Sequence, residues 1–295
     1  MRHRFSALLL IATLTQATHA APALTAPPTV RWLITDFPPQ FILTGPNQGQ
    51  GLAEIAQRIA ERRLTAYRHI QETVPANYPR IERELKTRDN ACFAAFLKTP
   101  ERERAFAFSK AYRVMLPIEL FVPTDREQPA TQDGKVDLQA LLRAGDFRLG
   151  VMGGRKYGPG IDSTLDQHPH DAAVYRRLAQ DQLEGLLNMM ATEGRQIDGV
   201  LAYPNELEQR LALSGKTAPA MRRYAIAGTP EYLEGYIACS QSPLGRQVVQ
   251  DINRLLGEIR PAVSAAYAAQ LQGEDRERYQ ALVKKVFGAA ETTPP

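Results

Sequence analysis

Hydrophobic and polar positions follow two periods along this chain, and the two periods predict strands that alternate with helices. Residues 29–35 are β-branched and aromatic and predict a strand. The prolines in residues 36–39 end this strand, because proline has no amide hydrogen to donate to a sheet. From Leu52 to Ile59, apolar residues recur at helical spacing and charged residues lie on the other side. A strand, a loop and a helix in this order begin an α/β unit.

The same alternation continues through the first third of the chain. Residues 91–97 are apolar throughout, which is typical of a strand covered on both faces. A helix is predicted before this strand, over 78–86, and a short helix or turn led by proline follows it, over 98–104. Extended segments are predicted at 106–109 and at 116–122.

A polar stretch at residues 123–133 predicts a crossing into a second α/β lobe. That lobe is expected to contain a short helix over 138–142, a strand over 148–152, a helix over 181–193 ending at Gly194, a strand over 197–202, a helix over 205–213 and a strand over 221–227. A second crossing near 228–230 leads to a strand at 236–239, followed by helices with apolar faces at 252–259 and 279–287.

These two crossings divide the chain into a discontinuous lobe and an inserted lobe. The first lobe is predicted at 29–123 and 228–287, the second at 124–227, and a flexible tail at 288–295. Two α/β lobes joined by a hinge enclose a cleft, which is a common location for a small ligand.

The N-terminus has the parts of a secretory signal peptide. Arg2 and Arg4 provide the basic start, residues 5–14 the apolar segment, and Ala20 the small residue before cleavage. An apolar segment of about ten residues is too short to span a bilayer; an anchor that stays uncleaved is the alternative. We expect export to the periplasm and cleavage after Ala20. Removing the two arginines lowers the formal charge from +4 to +2, which gives no electrostatic argument for nucleic acid.

Composition and motifs exclude several other classes of protein. A chain of 295 residues with 44% hydrophobic and 23% charged residues is globular and long enough for two domains. No G-x-S-x-G or G-x-G-x-x-G motif occurs, and Arg155 stands where a phosphate loop needs glycine before Lys156. His168 and His170 flank a proline and are more simply a turn than a metal site. We predict no cofactor, no metal and no catalytic residues.

Export changes the interpretation of the two cysteines. In an oxidising compartment Cys92 and Cys239 are expected to form a disulfide, which would tie the late part of the chain to the early part. Two buried free thiols are the alternative. The chain has no C-x-x-C redox spacing, and two cysteines alone make no metal site.

One local motif resembles a known family. Residues 98–102, Lys-Thr-Pro-Glu-Arg, and 108–112, Phe-Ser-Lys-Ala-Tyr, are similar to the T-P-E-R and F-S-x-x-Y signature of periplasmic solute-binding proteins of the amino-acid (family 3) type. The Asp-Phe-Pro-Pro sequence at 36–39 resembles the loop after their first strand, and residues 194–199 resemble a strand of their second lobe. The resemblance covers nearly the whole mature chain.

The resemblance implies the type II periplasmic binding protein fold, whose two lobes close on a small solute. It implies that Arg102 holds a carboxylate of the solute, for which a planar guanidinium is suited; local ion pairs with neighbouring glutamates are the alternative. It places Asp36 and Phe37 at the cleft. It also implies that the strand bearing Cys92 lies beside the strand bearing Cys239.

Three positions depart from the pattern of family members that bind amino acids. Leu97 stands where those proteins usually have serine or threonine, and Tyr203 stands where they carry the acid that holds the ligand ammonium. Arg155 follows a glycine-rich stretch after which they place a hydroxyl. These departures predict an anionic or dicarboxylate-like solute if Arg102 and Arg155 both face the cleft. Phe37 and Tyr203 are predicted as aromatic walls, with ordinary packing as the alternative.

The resulting hypothesis is a monomeric periplasmic protein that captures a small anionic or amino-acid-like solute and delivers it to the membrane permease of an ABC-type transporter. A periplasmic module that reports a ligand to a signalling partner is the first alternative. A dehydratase-like enzyme on the same fold is the second, and it would need a positioned general acid in the cleft.

Overall fold

The chain forms two separate six-stranded sheets, each with helices packed on it. The computed structural model describes residues 26–179, 181–192, 196–207, 209 and 220–288. The predicted α/β fold class with two lobes is confirmed.

The first lobe contains both the early and the late parts of the chain. Its strands are β1 (Thr29–Ile34), β2 (Arg68–Thr73), β3 (Ala91–Phe96), β4 (Phe106–Phe108), β5 (Arg113–Met115) and β12 (Leu233–Ser240). Its helices are α1 (Leu52–Arg63), α2 (Tyr78–Thr87), α3 (Pro100–Ala105), α7 (Pro243–Arg254), α8 (Leu256–Ala269) and α9 (Gly273–Phe287). The strand order is β2-β1-β3-β12-β4, and β5 also pairs with β12.

The second lobe is formed by the middle of the chain. Its strands are β6 (Glu119–Pro123), β7 (Lys135–Val136), β8 (Leu149–Met152), β9 (Val174–Arg177), β10 (Gly199–Ala202) and β11 (Met221–Ile226). Its helices are α4 (Leu138–Ala144), α5 (Ile161–Gln167) and α6 (Gln182–Ala191), and residues 204–207 are also helical. The strand order is β7-β11-β6-β10-β8-β9.

The first crossing lies earlier than the polar stretch at 123–133 suggests. β6, which the sequence analysis assigns to the first lobe, pairs antiparallel with β10 and β11 of the second sheet. The chain therefore changes lobes between β5 and β6, at residues 116–118, where every residue is buried. The return crossing lies between β11 and β12, at residues 227–232, and includes the predicted 228–230.

A disulfide joins Cys92 of β3 to Cys239 of β12. The two residues lie directly opposite each other in this antiparallel pair, with their Cα atoms 4.0 Å apart. Both are buried in the core of the first lobe. The predicted pairing of the two cysteines therefore connects the early and late segments of one sheet.

The hydrophobic pattern does not predict several elements of the structure. The strands β2 and β9 and the helix α5 are not indicated by it, and the apolar face at 252–259 belongs to two helices that meet at Leu255. Other predictions lie outside the described residues, among them the signal peptide at residues 1–20, the cap at Gly194, the end of the helix predicted to Leu213, and the tail after Gly288. Within the described ranges, no helix is long and apolar enough to cross a membrane.

Candidate functional site

The facing edges of the two lobes enclose a small cavity. Its volume is about 20 Å³, which is enough for about one water molecule. A larger solute therefore needs the lobes to part or side chains to move. The lining residues come from both lobes and are Phe37, Gln40, Tyr78, Ala95, Leu97, Arg102, Arg113, Arg155, Lys156 and Tyr203.

Most of the candidate residues from the sequence meet at this cavity. Those that line it are Phe37, Leu97, Arg102, Arg155 and Tyr203. Asp36 does not line it: its side chain is exposed and accepts a 3.4 Å hydrogen bond from the amide of Leu43. Asp36 instead lies at an outer opening between the lobes, together with Asp181 and Glu184.

Arg102 owes its position to the start of α3. The hydroxyl of Thr99 accepts a hydrogen bond from the amide of Arg102 at 3.2 Å, and proline at the first helical position suits a helix start. The Nε and Nη2 atoms of Arg102 both donate to one carboxylate oxygen of Glu82, at 3.0 and 2.8 Å. Its Nη1 atom donates to the carbonyl of Leu97, and its guanidinium lies 4.3 Å from the ring centre of Phe96. The guanidinium is thus already bound by groups of the protein.

Arg155 is paired in the same way within the second lobe. Its Nη1 and Nη2 atoms donate to the two carboxylate oxygens of Glu206 at 2.8 and 2.9 Å, and both side chains are almost fully buried. Burial alone would lower the pKa of Arg155, but the adjacent Glu206 carboxylate raises it above the usual range. Arg155 therefore stays cationic, and the pair as a whole is neutral. Sequence reasoning found no acid near Tyr203, yet Glu206 lies one helical turn beyond it.

A glycine lets the loop that bears Arg155 approach the first lobe. Gly154 has a φ of +74°, and a Cβ atom there would lie 2.5 Å from Cδ of Pro79. Across the same boundary, the amide group of Asn77 donates to the carbonyl of Leu178 at 3.1 Å. The loop after β8 thus closes against the start of α2.

Aromatic rings form much of the cavity wall. The guanidinium of Arg155 lies 5.6 Å from the ring centre of Phe37 and 5.1 Å from that of Tyr203, distances typical of cation–π contacts. Burial raises the pKa of Tyr203 to about 12 and also raises that of Tyr78. Both phenols are therefore neutral at physiological pH, so the walls add no negative charge.

Gln40 and Arg113 are cavity residues that the sequence analysis missed. Arg113 is the residue directly after the F-S-x-x-Y motif, and Nη1 of its buried side chain donates to Oε1 of Gln40. The position of Arg113 directly after the motif is a sequence signal that could have identified it as a cavity residue. Gln40, one residue beyond the Asp-Phe-Pro-Pro loop, was a weaker signal, because a glutamine in a loop has no distinctive pattern.

A second small cavity lies on the other side of Phe37 and Tyr78. It measures about 10 Å³ and is lined by Thr35 of the first lobe and Gln182 of the second. The Thr35 hydroxyl and the Gln182 amide nitrogen are buried without a hydrogen-bond partner among the described residues. These neutral polar groups face each other across the lobe boundary.

The histidine motif takes part in a local contact. Nδ1 of His168 lies 2.7 Å from a carboxylate oxygen of Asp171, within the turn after α5. The described ranges contain no group of three or more histidine, cysteine or acidic side chains placed to hold a metal ion.

Solved structures share this arrangement of two lobes. A mutant of ArgBP from T. maritima superposes with a TM-score of 0.57 at 16% identity, covering 89% of this chain and 96% of that one. An arginine 3rd transport system periplasmic binding protein from Legionella pneumophila gives 0.55 at 18% identity, covering 83% of this chain and 100% of that one. The fold is that of a type II periplasmic binding protein. The cavity described above lies between the two lobes of this fold.

A further structure with this fold belongs to a sensor. A histidine kinase sensor domain with similarity to periplasmic binding proteins gives a TM-score of 0.60 at 12% identity, covering 83% of this chain and 96% of that one. No protein-family model and no curated protein matches the sequence. At these identities the likeness establishes the fold alone.

Proposed function

We propose that this chain is a solute-binding protein whose interlobe cleft captures a small anionic or amino-acid-like solute. The observation that carries the proposal is the charge of the cavity wall, which includes four cationic side chains, those of Arg102, Arg113, Arg155 and Lys156. Glu82 and Glu206 neutralise two of them. Two positive charges then remain, and in a site shielded from water they favour an anion.

The proposed context is delivery to a transporter in the periplasm. Structural neighbours include the substrate binding protein of an amino acid ABC transporter and the arginine transport protein described above, which supports this context. We propose that a signal peptide ending near Ala20 directs export and that the mature protein acts as a monomer which hands its solute to a membrane permease. Closure of two lobes around the solute provides the shape change that a permease would detect.

A sensory role is the second candidate. The superposition on a histidine kinase sensor domain supports it, and it requires the same cleft to bind a solute. The two candidates differ in the partner that recognises the closed lobes. Crosslinking of the protein in membranes, followed by identification of the bound partner as a permease or as a kinase, separates them.

The first experiment is a thermal-shift screen of the mature protein after unfolding and refolding, which removes any solute that purifies with it. The panel contains amino acids, organic acids, polyamines and small peptides. We expect a saturable rise in Tm with a carboxylate-bearing solute, because a ligand that binds only the folded state stabilises it. At one hundred times the Kd the rise should be roughly 5–10 °C.

A rise with polyamines alone would contradict the anionic part of the proposal. The absence of a rise with every class would contradict the solute-binding function. Mass spectrometry of the stabilising compound after the assay shows whether the protein converts it. Conversion would favour an enzymatic function.

The contact between Arg102 and a solute carboxylate that the family resemblance implies makes a separate prediction about Glu82. A solute carboxylate that binds Arg102 must displace the Glu82 carboxylate, whose side chain is 24% exposed. Glu82→Gln removes this internal competitor while keeping the side chain's size. We therefore expect Glu82→Gln to tighten binding of the stabilising acid by about tenfold, which corresponds to about 1.4 kcal/mol. Isothermal titration calorimetry measures the change.

Glu84→Gln is the matched control, because Glu84 lies on the same helix and pairs with Arg80 and Arg88 instead. The control variant should bind the acid as the unmodified protein does. Equal affinities for the Glu82→Gln and Glu84→Gln variants would show that Arg102 serves the structure and does not contact the solute.

A further inference from the structure

We propose that Arg113, oriented by Gln40, is an anchor that binds a carboxylate of the solute, whether or not Arg102 also contacts the solute. This inference rests on the proposed solute-binding function and names the ligand class and its anchor. Arg102 and Arg155 already have carboxylate partners in Glu82 and Glu206. No carboxylate of the described residues pairs with Arg113 in the way that Glu82 and Glu206 pair with the other two arginines.

The burial of Arg113 makes the missing partner significant. Arg113 is 3% exposed, and its Nε atom has no hydrogen-bond partner among the described residues. Removing a guanidinium from water without a counter-charge is unfavourable. A carboxylate in the adjacent cavity would supply that counter-charge, which favours binding of an anion.

The fold holds the Arg113 side chain in place for this role. Arg113 begins β5 and is paired in register with Gly235 of β12. A Cβ atom on Gly235 would lie 2.3 Å from Nε and 2.8 Å from Cγ of Arg113, so the side chain crosses the strand where only glycine leaves room. The guanidinium also lies 5.2 Å from the ring centre of Tyr112. An anchor that is fixed before binding loses little conformational entropy when the ligand arrives.

Gln40 links this anchor to the first helix. Its backbone carbonyl accepts a hydrogen bond from the amide of Ala53 in the first turn of α1, at 2.9 Å, while its side-chain oxygen accepts from Arg113. Both Gln40 and Arg113 line the interlobe cavity, next to the half-buried cation Lys156. Arg113 and Lys156 reach the cavity from opposite lobes, so one anion placed between them would attract both lobes.

The test uses matched acids and amides, which differ in charge but hardly in size. The pairs are acetate and acetamide, succinate and succinamide, and benzoate and benzamide, with inorganic phosphate as a separate anion. We expect an acid to bind at least tenfold more tightly than its amide. Arg113→Gln should reduce acid binding at least tenfold, and Arg113→Lys should reduce it less, because it keeps the charge but loses the planar fork.

Arg104→Gln is the control for charge alone, since Arg104 is exposed on α3 and does not line the cavity. It should bind the acid normally. The unmodified protein provides a readout that does not depend on the folding of a variant: the ¹⁵N NMR signal of Arg113 Nε–H should move with the acid and not with the amide.

Each other outcome overturns the inference in a recognisable way. An unmoved Nε–H signal during saturable acid binding would remove Arg113 from the site while leaving the solute-binding function intact. Saturable binding of only amides, amines or phosphate would reject the carboxylate class but again keep that function. Failure of all compounds, here and in the wider screen, would reject the proposed function itself.

Discussion

Reduction of the Cys92–Cys239 disulfide is expected to lower the free energy of unfolding by about 4–5 kcal/mol in the chain-entropy treatment of crosslinks. The two cysteines are 147 residues apart, and every strand of the second sheet lies between them. Without the bond, the unfolded first lobe gains the freedom of two ends separated by an entire inserted lobe. The folded sheet keeps its β3–β12 hydrogen bonds, so the effect falls mainly on the unfolded state.

Urea unfolding of the mature protein, followed by circular dichroism with and without reductant, measures this difference. The reduced protein keeps both buried sulfur atoms, which separates loss of the crosslink from loss of packing. The Cys92→Ala/Cys239→Ala variant is the control, because reductant should leave its unfolding midpoint unchanged. Equal midpoints for the oxidised and reduced protein would contradict the prediction, as would two alkylatable thiols in protein taken from the periplasm.

Local pattern predicts the fold where one segment's own hydrophobicity decides its structure. The apolar run 91–97 and the helix beginning at Leu52 are of this kind, and both form close to the predicted bounds. β2, with the sequence Arg-His-Ile-Gln-Glu-Thr, has little alternation and is a strand because it pairs in parallel along the whole of β1. The apolar sequence of β6 would suit a strand in either sheet. Its partners, β10 and β11, decide the lobe, and they lie far away in sequence.

The same distinction between local sequence and distant partners applies to the candidate site. The motif around Thr99 and Arg102 is local: a capping hydroxyl, a proline and an arginine one turn later determine where the guanidinium goes. The partners of the cations are not local, since Glu82 is 20 residues from Arg102 and Gln40 is 73 from Arg113. Sequence reasoning therefore found a cation-rich cleft but could not tell which cations the protein itself neutralises.

Glu206→Gln is expected to destabilise the protein by about 3–5 kcal/mol, the cost typical of removing one partner of a buried ion pair. The Arg155 and Glu206 side chains are 4% and 2% exposed, so water cannot replace the lost charge. Arg155 stays protonated because it cannot be neutralised near physiological pH. Glu206 also accepts a 3.2 Å hydrogen bond from the amide of Tyr203.

Chemical unfolding of Glu206→Gln measures the loss, and Glu258→Gln is the matched control. Glu258 pairs with Arg63 at 2.9 Å, but the two side chains are 40% and 60% exposed, so its loss should cost less than about 1 kcal/mol. Equal losses in the two variants would mean that water reaches the Arg155–Glu206 pair.

The decisive comparison replaces both partners, as in Arg155→Met/Glu206→Leu. If the cost of Glu206→Gln comes from an uncompensated buried charge, removing that charge should restore most of the stability, since apolar substitutes for buried ion pairs are often neutral or stabilising. The restored variant also lacks the cation over Phe37, a contact between the lobes. Should binding of the stabilising solute survive in it, the pair positions the second lobe and leaves the anion to Arg113; loss of binding would make Arg155 part of the ligand site.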